Sequence, residues 1–285
     1  MKKFAFLLIA GLFVLPYSSD CNGAAGSDLA NPAASLFAQS ARQTLNRDFP
    51  SRDISFLLLD ARTGVVLASR WDNADQPISL GSLVKPFTAL AYGEQHKFQY
   101  PIHVCRGTAT GCWLPRGHGS INLTSAIAYS CNSYFRALTA NMTGREVIAT
   151  ATQFGLQPPA NNVSGAVLTG LGHQWVISPL NMARAYLELI RRREQPGVRE
   201  VLAGMALSAK RGTGAEVGLA LSPLDALVKT GTAPCTHATR APGDGFTIAL
   251  VPAEHPQILL MVRVHGVPGA KASRTAGQML RRIES

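Results

Sequence analysis

The first residues whose types and spacing could support chemistry are Ser82 and Lys85, in the stretch SLGSLVKPFTAL at 79–90. Residues i and i+3 of a helix lie on one face, so the lysine could reach the serine hydroxyl. Apolar neighbours such as Leu83 and Phe87 would desolvate the ammonium, lower its pKa and favour the neutral, proton-accepting form. The pair predicts a nucleophilic serine with a lysine base, although this spacing alone also arises by chance.

A second polar group interrupts an apolar, helix-like segment at Ser130 and Asn132, in the triplet SCN. Serine and asparagine in such a position usually cap a helix or form a turn. They also offer a hydroxyl and an amide to a nearby site. On its own, the triplet is compatible with either interpretation.

A third group is the stretch KTGTA at 229–233, which lies inside a strand-like segment. A glycine is costly in a strand unless something must approach the backbone, and Gly231 would leave such room. Lys229, Thr230 and Thr232 could then bind a carboxylate. The alternative is an edge strand that carries a charge against aggregation. The three groups together, in this order, are a much stronger indication of a catalytic site than any one of them.

The N-terminus predicts export. Residues 1–25 combine a basic start with an apolar segment that is shorter than the roughly 20 residues of a membrane helix, which is typical of a secretory signal. Cleavage after Ala25 satisfies the preference for small residues. Cys21 is the alternative lipid acceptor, but Asp20 sits where such signals want a small neutral residue. Lipidation or an uncleaved signal anchor is therefore left open, and residues 26–50 are expected to form a linker and a helix.

Export makes the cysteines candidates for disulfides. Cys105 and Cys112 bound the glycine-containing loop CRGTATGC, which a disulfide between them would close. A metal site that also uses His103 and His118 is the less favoured alternative, because the cysteine spacing is looser than that of common zinc motifs. The sequence therefore predicts no metal and no cofactor.

Composition favours a large globular domain. The chain has 285 residues, of which 46% are hydrophobic and 15% charged, and a net charge of +10. The basic residues are dispersed except for RRR at 191–193, which has no interleaved aromatic residues and is better explained as a solvated helix end than as a nucleic-acid site.

The remaining pattern predicts an α+β fold, an antiparallel sheet with helices packed on its faces. Two early strands flank a turn at 61–64, and three late strands should rejoin them in one sheet. Helices are expected at about 82–96, at 123–142 with a polar interruption at 130–133, at 179–193 and at the C-terminus. Because Pro86 has no N–H to bond back to the carbonyl of Ser82, the first turn of the 82–96 helix should be irregular. Residues 98–120 are expected to form a loop.

The motifs S-x-x-K, S-x-N and K-T-G resemble those of penicillin-binding protein transpeptidase domains, a superfamily shared with serine β-lactamases. GSLVKPF, SCNSYF and KTGTA resemble the three motifs of the transpeptidases, and RGTG at 211–214 resembles an element upstream of the third. The resemblance covers roughly residues 50–285, so a single transpeptidase domain is expected over 51–285.

The resemblance implies a role for each residue. Ser82 would attack the penultimate D-Ala carbonyl of a peptidoglycan stem peptide, with Lys85 as its base. Ser130 would pass a proton to the leaving amine, and Asn132 would bind the substrate and hold Lys85. Lys229, with the KTGTA threonines, would bind the terminal carboxylate.

The backbone N–H groups of Ser82 and Thr232 would form the oxyanion hole, and Gly231 would leave space beside the strand. An amine or water would then release the acyl group. Cys131 and Cys235 both lie beside motifs, so a bridge between them is a further alternative.

The resemblance also implies partners and a location. Stem peptides would be substrates and β-lactams inhibitors, in the periplasm or on the outer face of the bacterial inner membrane. The short segment before the domain leads us to expect a separate glycan-processing partner. Two other functions are open: a β-lactamase that uses a carboxylated Lys85, or a sensor that β-lactams acylate without turnover.

Overall fold

A computed structural model describes residues 32–235 and 241–284. The predicted signal segment, including Cys21, lies outside the described residues. Among the residues that are described, none of the helices is long and apolar enough to span a membrane.

The chain forms a mixed helical and β structure. Its α-helices are Pro32–Asp48 (α1), Lys85–Gln95 (α2), Leu123–Ala128 (α3), Asn132–Leu138 (α4), Gly144–Gln153 (α5), Gly165–Leu168 (α6), Pro179–Arg191 (α7), Val198–Arg211 (α8), Ala215–Leu221 (α9) and Gly269–Glu284 (α10). Its strands are Ile54–Asp60 (β1), Val66–Arg70 (β2), Ile78–Ser79 (β3), His103–Cys105 (β4), Gly119–Ile121 (β5), Val176–Ile177 (β6), Leu227–Ala233 (β7), Asp244–Val251 (β8) and Ile258–Val264 (β9). Short 3₁₀ helices occupy Gly81–Val84 and Gly107–Thr110.

The main sheet has five antiparallel strands in the order β2-β1-β9-β8-β7. The three late strands therefore rejoin the two early ones, as predicted, because β9 inserts beside β1. The predicted α+β class, an antiparallel sheet with helices packed on its faces, is confirmed. Strand β7, which carries KTGTA, lies at one edge of this sheet.

Successive side chains along each strand point to opposite faces of the sheet, which creates two cores, one on each face. Phe56 and Leu58 of β1 belong to the cluster that α1, α9 and α10 cover. Leu57 and Leu59 point the other way, into the larger cluster that contains Phe87 of α2. The larger cluster therefore lies on the face of the sheet that packs against α2, α3 and α4, the helices next to the first two motifs.

The structure differs from the expectation in several segments. Residues 98–120 are not simply a loop, because β4 and β5 pair there as a small hairpin around the second 3₁₀ turn. Helices α5, α6, α8 and α9 were not predicted. The helix at 179–193 is confirmed, and Ser178 caps it by accepting a hydrogen bond from the N–H of Asn181.

Candidate active site

The turn that carries Ser82 is a 3₁₀ segment, Gly81–Val84, that leads directly into α2. Pro86 lies in the first turn of α2, and the N–H of Lys85 bonds to the carbonyl of Ser82 in the tighter i→i+3 pattern. This agrees with the predicted irregular first turn. From the other side, the hydroxyl of Tyr186 on α7 donates to the carbonyl of Leu83 at 2.9 Å and anchors the turn.

Lys85 is completely buried at the start of α2. Its Nζ lies 2.9 Å from the carbonyl oxygen of Ser130, 3.5 Å from Ser130 Oγ and 2.7 Å from Asn132 Oδ1. Nζ also sits 5.3 Å from the centre of the Phe135 ring. Burial lowers the pKa of Lys85 to about 7, because the ammonium is removed from water. Among the described residues, Nζ makes its hydrogen bonds with Ser130 and Asn132 and not with Ser82.

Ser130 occupies an unusual backbone position between α3 and α4. Its φ is +49°, a left-handed conformation that a serine adopts rarely. The N–H of Ser130 bonds to the carbonyl of Ile127 and the N–H of Cys131 to that of Ala126, which is the Schellman ending of a helix. The turn places the Ser130 carbonyl and hydroxyl, together with the Asn132 amide, on Lys85.

Lys229 approaches the same hydroxyl from β7. Its Nζ is 3.0 Å from Ser130 Oγ and 2.6 Å from the carbonyl of Thr230, and the side chain is completely buried. Burial, and then the nearby charge of Lys85, hold the pKa of Lys229 well below its usual value. Two amines therefore share one hydroxyl, an arrangement that can pass a proton between groups.

The other KTGTA residues are held at the sheet edge. Thr230 Oγ1 is 2.6 Å from Thr213 Oγ1, and Thr232 Oγ1 accepts from the N–H of Gly269 at 2.9 Å. Thr213 belongs to RGTG, a stretch noted in the sequence as resembling an element upstream of the third motif. Neither Thr213 nor Tyr186 was predicted to be a site residue. The signal for Thr213 was its position just upstream of the third motif.

Gly231 has a close backbone neighbour, as a glycine in a strand suggests. A Cβ placed on it would lie 2.6 Å from the carbonyl oxygen of Leu80 and 3.2 Å from the N of Leu83. Gly231 therefore packs against the backbone of the turn that carries Ser82. The absence of a side chain lets β7 lie directly against this turn.

Replacing Gly231 with alanine is therefore expected to destabilise the protein by ~1–3 kcal/mol, the usual cost of overpacking. The methyl group would meet a backbone carbonyl, which rotation of a side chain cannot move aside. Urea denaturation measures the change in the free energy of unfolding. Ser69→Ala, at an exposed position of β2, serves as the control, with an expected change within about 0.5 kcal/mol. Equal stability of both variants would contradict the close packing.

The predicted disulfide between Cys105 and Cys112 is wrong, since both thiols are free. Each sulfur instead faces His118 Nδ1, at 3.6 and 3.5 Å. The third thiol of the same cluster is Cys131, whose Sγ lies 3.8 Å from that of Cys112. The loop CRGTATGC folds both cysteines inward on the histidine rather than on each other.

The alternative bridge from Cys131 to Cys235 is also wrong. Cys235 lies two residues after the end of β7, and its Sγ donates to Asp244 Oδ1 at 3.2 Å. His103, the other histidine considered for a metal site, is outside the cysteine cluster because its Nε2 bonds to Ser133 Oγ at 2.7 Å.

Comparison with known proteins gives one family and a consistent fold. The family model described as penicillin binding protein transpeptidase domain matches residues 54–284. No curated protein matches the chain. The solved structure of PBP2 from Pseudomonas aeruginosa in complex with WCK 5153 is similar at a TM-score of 0.69 and 18% identity, covering 88% of this chain and 73% of that one.

Two further structures give the same result. The apo transpeptidase domain of penicillin-binding protein 3 from Burkholderia pseudomallei matches with a TM-score of 0.66 and 18% identity, over 88% of this chain and 92% of that one. PBP2 from Helicobacter pylori, in complex with MreC, matches with a TM-score of 0.70 and 16% identity, over 86% of this chain and 62% of that one. At these identities the structures establish a shared fold.

Proposed function

The chain belongs to the penicillin-binding protein transpeptidase domain family, and from that premise we propose that it is a serine D,D-transpeptidase or D,D-carboxypeptidase. Its substrates would be peptidoglycan stem peptides that end in D-Ala-D-Ala. The observation that carries the proposal is the meeting of three distant motifs at one hydroxyl. Lys85 and Lys229 both hydrogen bond to Ser130 Oγ, beside the turn of Ser82.

In the proposed acylation, Ser82 Oγ attacks the penultimate D-Ala carbonyl and forms an ester. Neutral Lys85 takes the proton of Ser82, directly or as the substrate closes the gap between them. The C–N bond to the terminal D-Ala breaks, and Ser130 gives the leaving amine its proton. Because Ser130 lies between both lysines, that proton can be replaced from Lys85. Asn132 would hold the substrate backbone and Lys85 together.

The remaining residues stabilise charge. The backbone N–H groups of Ser82 and Thr232 are proposed to bind the oxyanion that develops in the tetrahedral intermediate. The terminal carboxylate would lie against Lys229, Thr230 and Thr232, where its negative charge would favour the protonated form of Lys229. Transfer of the acyl group to an amine makes a cross-link, and transfer to water trims the peptide.

We expect the protein to form a stable covalent adduct with penicillin, because the same nucleophile would open the β-lactam ring without an efficient route to hydrolysis. Intact-mass spectrometry should show one penicillin per chain that persists for hours. D-Ala release from a D-Ala-D-Ala peptide, with and without an amine acceptor, separates transpeptidation from carboxypeptidation.

The outcomes of the same experiment also distinguish the two competing functions, a β-lactamase and a sensor. Burial that keeps Lys85 neutral at moderate pH would also let it react with carbon dioxide, as a β-lactamase with a carboxylated lysine requires. Rapid, bicarbonate-dependent turnover of a chromogenic cephalosporin would therefore contradict the transpeptidase assignment. A stable adduct together with no peptide turnover would indicate a sensor.

The proposed setting is the periplasm or the outer face of the inner membrane, with the chain exported through its N-terminal segment. A separate glycan-polymerising enzyme is a proposed partner, since a structure of a peptidoglycan synthase complex that coordinates polymerization and crosslinking has a similar fold. The structure from Helicobacter pylori is a complex of PBP2 with MreC, which supports assembly with other proteins as a property worth testing by co-purification.

A further inference from the structure

Three thiols and one imidazole converge beside the Ser130 turn. The ligand atoms of Cys105, Cys112, His118 and Cys131 all lie within 4.8 Å of one another. In a tetrahedral zinc site, bond lengths of about 2.3 Å to sulfur and 2.0–2.1 Å to nitrogen place two sulfurs ~3.8 Å apart and a sulfur and a nitrogen ~3.6 Å apart. The distance from Cys112 Sγ to Cys131 Sγ is 3.8 Å, and His118 Nδ1 lies 3.6 Å from Cys105 Sγ and 3.5 Å from Cys112 Sγ.

The thiols are buried and receive backbone hydrogen bonds, as metal-bound thiolates do. Cys105, Cys112 and Cys131 are 2%, 4% and 0% exposed. The backbone N–H groups of Gly107 and His118 favour the thiolate form of Cys105. The N–H of Tyr134, in the first turn of α4, bonds to Cys131 Sγ at 3.4 Å. Such donors stabilise negative charge on sulfur.

The ring of His118 is fixed with Nδ1 toward the sulfurs. It stacks on Tyr129 at 5.4 Å between ring centres and meets Trp113 edge-on at 5.5 Å. The four ligating side chains come from the β4–β5 hairpin and from the N-cap of α4. The folded backbone therefore already brings them together. A preformed ligand set of this kind needs little reorganisation to bind an ion.

We propose that Cys105, Cys112, His118 and Cys131 bind one Zn²⁺ in a structural, four-coordinate site. Three sulfurs and one imidazole nitrogen in tetrahedral array suit zinc better than the harder cations that prefer oxygen. Binding releases the thiol protons, and one divalent cation offsets most of the charge of three thiolates. The sequence favoured a disulfide because one could close the short C-x₆-C loop and because the cysteine spacing is looser than that of common zinc motifs.

The site has a consequence for the neighbouring motif. Cys131 stands between Ser130 and Asn132, the two residues whose atoms hold Lys85. An ion on Cys131 would tie this turn to the β4–β5 hairpin and stabilise the left-handed conformation of Ser130. The effect on acylation rests on the proposed function, whereas the binding of zinc does not.

The test begins with the unmodified, full chain. Protein purified under reducing conditions is stripped with a chelator, reloaded with Zn²⁺, and its metal content measured by mass spectrometry. One zinc per chain is expected, and Co²⁺ in its place should give thiolate charge-transfer bands and the visible bands of tetrahedral cobalt. Less than a tenth of an equivalent after reloading, or a Cys105–Cys112 disulfide in the native protein, would overturn the proposal.

Matched cysteine variants localise the ion. Cys112→Ser should lose the cobalt charge-transfer bands and weaken zinc binding by at least ~10-fold, and His118→Ala should behave in the same way. Cys235→Ser, a cysteine outside the cluster, should retain one zinc. Loss of zinc from Cys235→Ser but not from Cys112→Ser would overturn the assignment. If Cys112→Ser does not fold, the wild-type stoichiometry and cobalt spectrum still decide the question.

The link to acylation is measured separately. Chelator-stripped wild type should react with penicillin ~10–100-fold more slowly than reloaded protein, the usual range for loss of a supporting interaction, and should recover when Zn²⁺ is added. Zinc binding without any penicillin adduct would leave the metal site intact and refute the proposed function. Penicillin labelling of a protein that binds no zinc would refute the metal site alone.

Discussion

Replacing Ser82 with alanine is expected to abolish the covalent penicillin adduct and to lower D-Ala release by ~10⁶-fold or to the detection limit, as removal of the serine does in other acyl-transfer enzymes. The reason is that Ser82 is the proposed nucleophile, in a turn that packs between β7 and α7. Ser130, the serine of the second motif, is engaged by both lysines and is proposed to pass on a proton rather than attack. Intact-mass spectrometry after incubation with penicillin measures the result directly.

Ser79→Ala is the matched control. Ser79 lies three residues earlier, is also buried, and donates from Oγ to the carbonyl of Gly172 at 3.0 Å. Its loss should cost ~1 kcal/mol of stability and leave labelling in place. An adduct on Ser82→Ala with the same mass as on wild type would assign the nucleophile elsewhere. Thermal unfolding of both variants separates loss of chemistry from loss of fold.

Much of the fold could be predicted because its signals are local. Strand alternation places Phe56 and Leu57 on opposite faces, and a serine cap followed by proline marks the start of α7 at Ser178. The irregular turn after Ser82 followed from the missing N–H of Pro86. Helices α5, α6, α8 and α9 were not predicted, although Thr143 and Glu146 form a capping box at the start of α5 that could have indicated it.

The geometry of the site could be predicted only in part, because it depends on contacts between distant segments. Lys85 is 45 residues from Ser130, and Lys229 is 99 residues from it. Motif identity indicated that these residues belong together, but not that Ser130 adopts a left-handed conformation or that both amines meet its hydroxyl. The partner of Gly231 was likewise unpredictable, since it is backbone rather than a side chain. The cysteine loop was misread for the same reason, because Cys131 joins it only in three dimensions.

Burial of Lys85 and Lys229 in one site explains why Lys85 is suited to its proposed role as the base. Charging both amines in one apolar site would place two cations near each other with no described carboxylate hydrogen bonded to either. Burial disfavours both ammonium groups, and the charge of Lys85 further disfavours that of Lys229. With its pKa lowered to about 7, Lys85 is largely neutral at slightly alkaline pH, where an ordinary lysine with a pKa of about 10.4 would be protonated.

Lys85→Met is therefore expected to slow penicillin acylation by ~10²–10⁴-fold, the usual contribution of a general base, while its apolar side chain keeps the buried site filled. In wild type the neutral amine is the active form, so the acylation rate should rise as pH increases through about 7 and then level off. Stopped-flow kinetics across this range measure the profile, with Lys210→Met, at an exposed lysine, expected to match wild type. A rate that climbs steadily toward the titration range of an ordinary lysine would show that Lys85 remains charged in the site, and a similar profile in Lys85→Met would assign the titrating group to another residue.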